Sequence, residues 1–168
     1  MASWRLRVLR LATPQLLVFA LMGCGSATAD TSGLLTWDQM NTEYRNMVES
    51  FPFALPSGVS FPGSAPAPMG QDEQLYETGV GGMQAYFFYK CAEEDIALTY
   101  QTSDTQRAEK ALDALVGLTK DGFWNQHVLD ADGEYVELVN QARLGDYSVL
   151  ADLHSNGCSS DWLQGKAG

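Results

Sequence analysis

The chain has 168 residues, of which 45% are apolar and 18% are charged, a composition typical of a single globular domain and not of a disordered protein. Three of the ten basic residues lie within the first ten positions and all 21 acidic residues follow position 29, so residues 24–168 carry a net charge of −14. Such a charge repels nucleic-acid phosphates and anionic lipid headgroups. It argues against a nucleic-acid-binding protein and against a basic membrane-binding surface.

The first 29 residues have the pattern of a bacterial export signal. Three arginines precede an apolar stretch at 11–22, which contains Pro14 and is too short to cross a bilayer. This pattern predicts a signal peptide that is removed from the mature protein. We therefore expect a protein that works outside the cytoplasm.

Two cleavage sites compete at the end of this signal. Leu21-Met22-Gly23-Cys24 resembles the lipobox of bacterial lipoproteins, and that resemblance implies cleavage before Cys24 and a lipid on its thiol. Ala27-Thr28-Ala29 is an alternative whose use would release a soluble, secreted protein. We expect the lipoprotein, with a signal peptide at 1–23 and a tether at 24–35. The lipid on Cys24 then anchors the chain to the extracytoplasmic face of the cell membrane.

Cys91 and Cys158 are left as a pair whichever site is cut, because Cys24 is either lipidated or removed with the signal. In an oxidising compartment such a pair is expected to form a disulfide. The bridge would span 67 positions and stabilise the fold by about 4 kcal/mol on the chain-entropy account. The alternative is a pair of buried free thiols.

The start of the mature domain predicts one helix followed by a loop. Thr36 is a good N-cap, apolar residues recur at steps of three and four from Trp37 onward, and Pro52 ends the helix. Five prolines and three glycines within 52–70 exclude a helix or a sheet interior. The first half of this segment carries interleaved apolar residues and should pack on the domain, whereas Gly63 to Gly70 should form an exposed loop.

The central element is expected at about 72–102, the densest apolar stretch and one without proline. Four consecutive aromatic residues at 86–89 cover most of a helix circumference, so this helix should be the most buried one. Glycines at 79, 81 and 82 either kink it or let a neighbour approach closely. The acidic run Glu93-Glu94-Asp95 marks its exposed far end, in preference to a weak site for a divalent cation.

Three further helices are predicted after the central one. Ser103 opens the first with a capping-box spacing, Asp132 caps the second, and Asp146 caps the third. The aromatic stretch 123–129 should be irregular. Because no alternating strand pattern occurs, the sequence predicts an all-α single domain over 36–164, with four to five helices around the central helix, a Pro/Gly-rich loop and one disulfide.

Candidate catalytic residues are few. Asp130-Ala131-Asp132-Gly133 resembles the first motif of haloacid-dehalogenase phosphatases, but Glu134 stands where that family has Thr or Val, and too little chain follows for its domain. The stretch also lacks the glycine of a calcium loop, so a turn and a helix cap are expected. His127 and His154 are the only histidines, and neither has a zinc-binding spacing. We expect no metal, cofactor or catalytic residue.

Several stretches of the mature chain resemble small exported proteins of unknown function from high-GC Gram-positive bacteria. The matching stretches are residues 55–62, 76–81, 84–91 and 142–146, which together span most of 52–146. The resemblance implies export and a single helical domain. It implies no activity.

Two functions with a sequence signature remain open, beside a purely structural or envelope-stress role that has none. The first is a non-enzymatic, membrane-tethered domain that binds a protein or a small molecule at the cell surface, which the lipobox and the lack of catalytic motifs favour. The second is a small exported hydrolase that uses His127 or His154 as a base beside a groove lined by Trp124 and Tyr135.

Overall fold

The structure, a computed structural model, describes residues 33–66, 74–128, 130 and 132–158. These residues form α1 (Trp37–Glu49), α2 (Val80–Tyr100), α3 (Thr105–Leu118), α4 (Gly122–His127), α5 (Glu134–Arg143) and α6 (Ser148–Gly157), with two short antiparallel strands, β1 (Leu34–Leu35) and β2 (Tyr76–Glu77). The predicted all-α fold is confirmed, with one helix more than expected among the described residues. None of these helices is long and apolar enough to cross a membrane. The signal sequence, Cys24 and most of the tether lie outside the described residues.

The central helix is α2, which begins at Val80 and not near position 72 as predicted, because Tyr76–Glu77 pair with β1 instead. Helix α1 packs directly on the start of α2. A Cβ at Gly81 would lie 2.1 Å from the main-chain carbonyl oxygen of Met40, so only glycine allows this approach. The Glu43 carboxylate accepts hydrogen bonds from the Gly79 and Gly81 amides, at 3.0 and 3.4 Å. These amides would otherwise be unpaired at the helix start. The sequence left open whether these glycines kink the helix or let a neighbour approach, and the structure shows the close approach of a neighbour.

Different partners cover the two halves of α2. Aromatic rings of Phe51 and of the proline-rich segment 52–70 pack on the first half, and the segment thus packs on the domain as predicted. The rings in contact are Phe51, Phe53, Phe61, Tyr86, Phe88 and Tyr89. Helices α3, α5 and α6 pack around the second half through a cluster of smaller side chains. Its buried members include Ala97, Leu112, Leu115, Val139 and Leu150. The predicted disulfide, Cys91–Cys158, joins the middle of α2 to the end of α6.

Two helix starts differ from the prediction. The cap of α3 is Asp104 and not Ser103, because the Asp104 carboxylate accepts a hydrogen bond from the Arg107 amide. Most of the stretch 123–129, predicted to be irregular, belongs to α4. That helix forms because Asp121 accepts from two amides of its first turn. In both places an aspartate at the true boundary sets the start.

The predictions for the starts of the last two helices and for the loop after Gly63 also need correction. The N-cap of α6 is Tyr147 and not Asp146. Gly133, with φ of +70°, precedes α5 in the place predicted for an Asp132 cap. Within 63–66, the described part of the expected exposed loop, Ala65 is buried and its amide donates to Asn41 Oδ1 at 3.0 Å. The rest of that loop lies outside the described residues.

Candidate functional site

Three charged side chains are buried on the second half of α2, where the sequence predicts an exposed helix end. Lys90 is 8% exposed, Glu93 is 7% exposed and Glu94 is fully buried, whereas Asp95 is exposed. The prediction of an exposed end is wrong because α6 packs over this part of α2 and α5 brings Tyr135 against it. A buried charge without a partner is costly, so the partners of these residues outline a candidate site.

Glu94 is the centre of a hydrogen-bonded cluster that joins α2, α5 and the end of α6. Its Oε1 accepts from the Lys90 ammonium and from the Tyr135 hydroxyl, each 2.8 Å away. Its Oε2 faces His154 Nδ1 and Cys158 Sγ, each at 3.4 Å. These five residues are named the Glu94 cluster. Every oxygen of the buried carboxylate therefore has polar neighbours.

Charge within the Glu94 cluster is balanced. The Lys90 ammonium neutralises the Glu94 carboxylate and also lies 5.4 Å from the centroid of the Tyr135 ring, within range of a cation–π interaction. Burial, together with the nearby carboxylate, raises the pKa of Tyr135 well above its ordinary value, so its hydroxyl remains a donor. Buried polar networks with perturbed pKa values concentrate at functional sites.

Glu93 lies outside the Glu94 cluster, beside a cavity lined by α3, and its pKa is shifted. Burial raises the pKa of Glu93 to about 7, and the hydrogen bond from Tyr89 offsets only part of that effect. The carboxyl lines a cavity of about 450 Å³ together with Arg107 and Lys110 of α3. Its charge therefore changes near neutral pH.

An apolar cavity of about 280 Å³ opens beside the Glu94 cluster and is named the aromatic cavity. Its apolar lining residues are Phe87, Trp124, Val128, Tyr135, Leu138 and Leu153. The Trp124 and Tyr135 ring centroids are 6.3 Å apart, and Phe87 meets Trp124 edge-on at 6.1 Å. Lys90, Asp130 and Glu134 are the charged residues of the lining. This volume lies just below the range of about 300–1,000 Å³ that is typical of small-molecule sites, so the cavity has room only for a small ligand.

A second groove, of about 420 Å³, lies between α1, the start of α2 and α4. It is named the histidine groove after His127, which lines it together with Ser50. The His127 ring stacks on Phe123 at 4.1 Å, and its Nδ1 donates to the Phe123 carbonyl at 2.9 Å. The Ser50 hydroxyl donates to the Asn46 carbonyl, 2.9 Å away, so the described residues show no serine hydrogen-bonded to this histidine.

The structure distributes the residues singled out from the sequence over the aromatic cavity, the histidine groove and the Glu94 cluster. Trp124 and Tyr135 line one cavity, but neither histidine is among its described lining residues. His127 lies in the histidine groove and His154 in the Glu94 cluster. Asp130 accepts from the Tyr135 amide at the start of α5, which fits a helix-cap role.

Sequence reasoning misses Lys90 and Glu94. Both lie in a charged stretch that has the composition of a solvated helix end. The spacing of four residues between them was the available signal, because it places both side chains on one face of a helix.

Comparisons with known proteins found no match that bears on function. No protein-family model matches the chain. No curated protein and no solved structure matches it either.

Proposed function

We propose that the chain is an exported, lipid-anchored cell-surface protein that binds a small ligand in the aromatic cavity without turning it over. The lipobox at Cys24 supports the anchor, since the net charge of −14 beyond it leaves no basic surface to hold a membrane. The Cys91–Cys158 disulfide supports a location outside the cytoplasm, where such bonds persist.

One observation carries the binding proposal: an apolar cavity has polar groups that are already fixed in its wall. Ligand sites typically combine aromatic and aliphatic linings with a few oriented polar groups. Here Lys90 and Tyr135 line the cavity, and Glu94 holds each of them at 2.8 Å. Because these side chains are ordered before a ligand arrives, binding loses little conformational entropy.

The charges around the aromatic cavity favour a cationic ligand. Lys90 is neutralised by Glu94, whereas Asp130 and Glu134 form no ion pair with any described residue. The lining therefore has a surplus of negative charge, and its aromatic rings attract cations further. We propose a small amine with an apolar body as the ligand class.

Calorimetric titration with three probes of similar shape tests this class. Phenethylammonium, phenethyl alcohol and hydrocinnamate share an aromatic body and differ in charge. We expect phenethylammonium to bind most tightly and hydrocinnamate most weakly, because only the anion is repelled by Asp130 and Glu134. Equal affinity for the three probes would contradict the assignment.

Two tryptophan substitutions on α6 show where the probe binds. Leu153→Trp should fill the aromatic cavity and abolish binding of phenethylammonium. Val149→Trp adds the same side chain at an exposed position of the same helix and should leave binding unchanged. Binding that persists in Leu153→Trp would place the ligand elsewhere.

Labelling of intact cells tests the anchor. We expect radiolabelled palmitate on the wild-type chain, sensitive to globomycin, and none on Cys24→Ala. An unlabelled wild-type chain would end the lipoprotein proposal and favour release after Ala29. The ligand proposal does not depend on this result.

A further inference from the structure

We propose that the Glu94 cluster becomes a zinc site when the Cys91–Cys158 disulfide is reduced. The two cysteine sulfurs and a Glu94 carboxylate oxygen all lie within 4.8 Å of one another. His154 Nδ1 lies 3.4 Å from Glu94 Oε2, the oxygen that faces Cys158. Reduction would leave two thiols, a carboxylate and an imidazole together, and Zn²⁺ takes thiolate sulfur, nitrogen and oxygen donors in four-coordinate sites. This inference does not rest on the proposed amine site.

The two sulfurs and the Glu94 oxygen are close enough to share a tetrahedral ion, and the His154 ring, whose Nδ1 faces that oxygen, would turn toward the ion as the fourth ligand. Zinc lies about 2.3 Å from sulfur and about 2.0–2.2 Å from nitrogen or oxygen, so neighbouring ligand atoms are roughly 3–4 Å apart. The Cα atoms of the two cysteines are 5.6 Å apart. Cys158 follows the last turn of α6 and is half-buried, so its side chain can rotate away from Cys91 without a shift of α2.

The surrounding residues already orient these ligands. Lys90 and Tyr135 both occupy Glu94 Oε1, which leaves Oε2 free to face the ion. His154 Nε2 lies 4.0 Å from Asp95 Oδ1. When Nδ1 binds a metal the ring proton resides on Nε2, and a carboxylate in this position is the usual partner of a metal-bound histidine.

The buried Lys90 would also balance the charge of the zinc site. Two thiolates and one carboxylate exceed the charge of Zn²⁺ by one negative charge. The Lys90 ammonium, 2.8 Å from Glu94 Oε1, would offset that charge inside the protein. The loaded site would therefore be neutral as a whole, which lowers the cost of its burial.

The chemistry requires a dithiol as reductant. One thiolate of the dithiol attacks Cys158 Sγ, the S–S bond breaks, and Cys91 leaves as a thiolate that takes up a proton. The second thiol of the reductant then displaces Cys158 from the mixed disulfide and closes a cyclic disulfide. Two electrons and two protons thus pass from the dithiol to the protein. Binding of Zn²⁺ releases those two protons from the cysteine thiols.

Zinc titration of the oxidised and reduced forms tests the proposal. The exported chain carries Cys24→Ser, so that Cys91 and Cys158 are its only thiols. It is reduced with dithiothreitol, desalted without oxygen, and titrated with Zn²⁺ against a chromogenic chelator. We expect one tightly bound Zn²⁺ per reduced chain and none in the oxidised chain. Co²⁺ in place of Zn²⁺ should give the thiolate charge-transfer and ligand-field absorption of a tetrahedral site.

Variants separate this site from binding by two cysteines alone. Glu94→Gln and His154→Asn each remove one ligand and should weaken zinc binding by at least tenfold. Tyr135→Phe removes a partner of Glu94 and should weaken it by about tenfold, since outer partners of metal ligands typically contribute ten- to a hundredfold. His127→Asn changes the other histidine, which lies in the histidine groove, and should have no effect.

Circular dichroism keeps the test decisive if reduction unfolds the chain. Zinc that restores the helical signal supports the site, because metal binding then drives folding. The proposal fails if the reduced chain binds no Zn²⁺, whether it stays folded or unfolds. It also fails if Glu94→Gln and His154→Asn both bind zinc as tightly as the unsubstituted chain.

Discussion

The two halves of α2 are both buried, but by different means. The first half, Val80–Tyr89, is covered by aromatic rings and by an α1 backbone that approaches at Gly81. The second half, Lys90–Tyr100, carries three buried charged side chains and the disulfide. The first half is stabilised by the close packing of rings and backbone, whereas the second half combines an apolar cluster with buried charged groups that require partners.

The two halves of α2 therefore tolerate different kinds of substitution. In the first half, any added atom meets a close neighbour, because protein interiors are packed as densely as organic crystals. In the second half, volume matters less than partners, because a buried carboxylate that loses its cation keeps the full cost of its desolvation. The following substitutions break each half in its own way.

The largest effect is expected at the close contact of α1 with α2. Gly81→Ala would place a Cβ 2.1 Å from the Met40 carbonyl oxygen, and neither backbone can move aside cheaply. We expect a loss of about 5 kcal/mol in the free energy of unfolding by urea. Gly117→Ala in α3, where the new methyl meets open space, should instead stabilise the protein by about 0.5–1 kcal/mol. Equal effects of the two substitutions would refute the packing argument.

The second effect concerns the ion pair in the polar half. Lys90→Met leaves the Glu94 carboxylate buried without its cation, and we expect a loss of about 4 kcal/mol in urea unfolding. The double variant Lys90→Met with Glu94→Leu removes both charges and should recover most of that loss. A double variant less stable than Lys90→Met would show that the pair is not the source of the cost.

The third effect depends on pH and concerns Glu93. Its pKa of about 7 in the folded protein exceeds the ordinary value of 4.5, so the folded state holds the proton more tightly than the unfolded state. Below pH 4.5 both states are protonated and Glu93 costs nothing. As the pH rises from 4.5 to about 7 the folded protein becomes progressively less stable, by up to about 3 kcal/mol, and the loss is complete above pH 7.

Glu93→Gln should therefore stabilise the protein at pH 8 and change little at pH 4. Thermal unfolding of both forms across this range measures the difference. A constant difference between the two proteins at all pH values would contradict a raised pKa at Glu93.

The smallest effect is expected at a single hydroxyl. Tyr135→Phe removes one of the two donors to Glu94 Oε1, and we expect a loss of about 1–2 kcal/mol in urea unfolding. Tyr147→Phe, between α5 and α6, removes a hydroxyl outside the Glu94 cluster and should cost less than about 0.5 kcal/mol. Similar losses for the two variants would mean that Glu94 does not depend on Tyr135.

Local patterns explain why much of the fold is predictable. Thr36 and Gln39 form the capping box at the start of α1, as expected of a threonine before an apolar-periodic stretch. The aromatic run at 86–89 is the core of the central helix, with only Phe87 exposed. The Cys91–Cys158 bond is the pairing expected if Cys24 is lipidated or removed with the signal.

The sequence by itself determined the helical fold class, the central helix and the disulfide, because each depends on periodicity, capping or parity within the chain. Only the tertiary structure decided that Glu94 is buried and what surrounds it. Its partners Tyr135 and His154 lie 41 and 60 positions further along. A carboxylate that is solvated in isolation becomes buried only when other helices bring its donors, and no local pattern records which helices will do so.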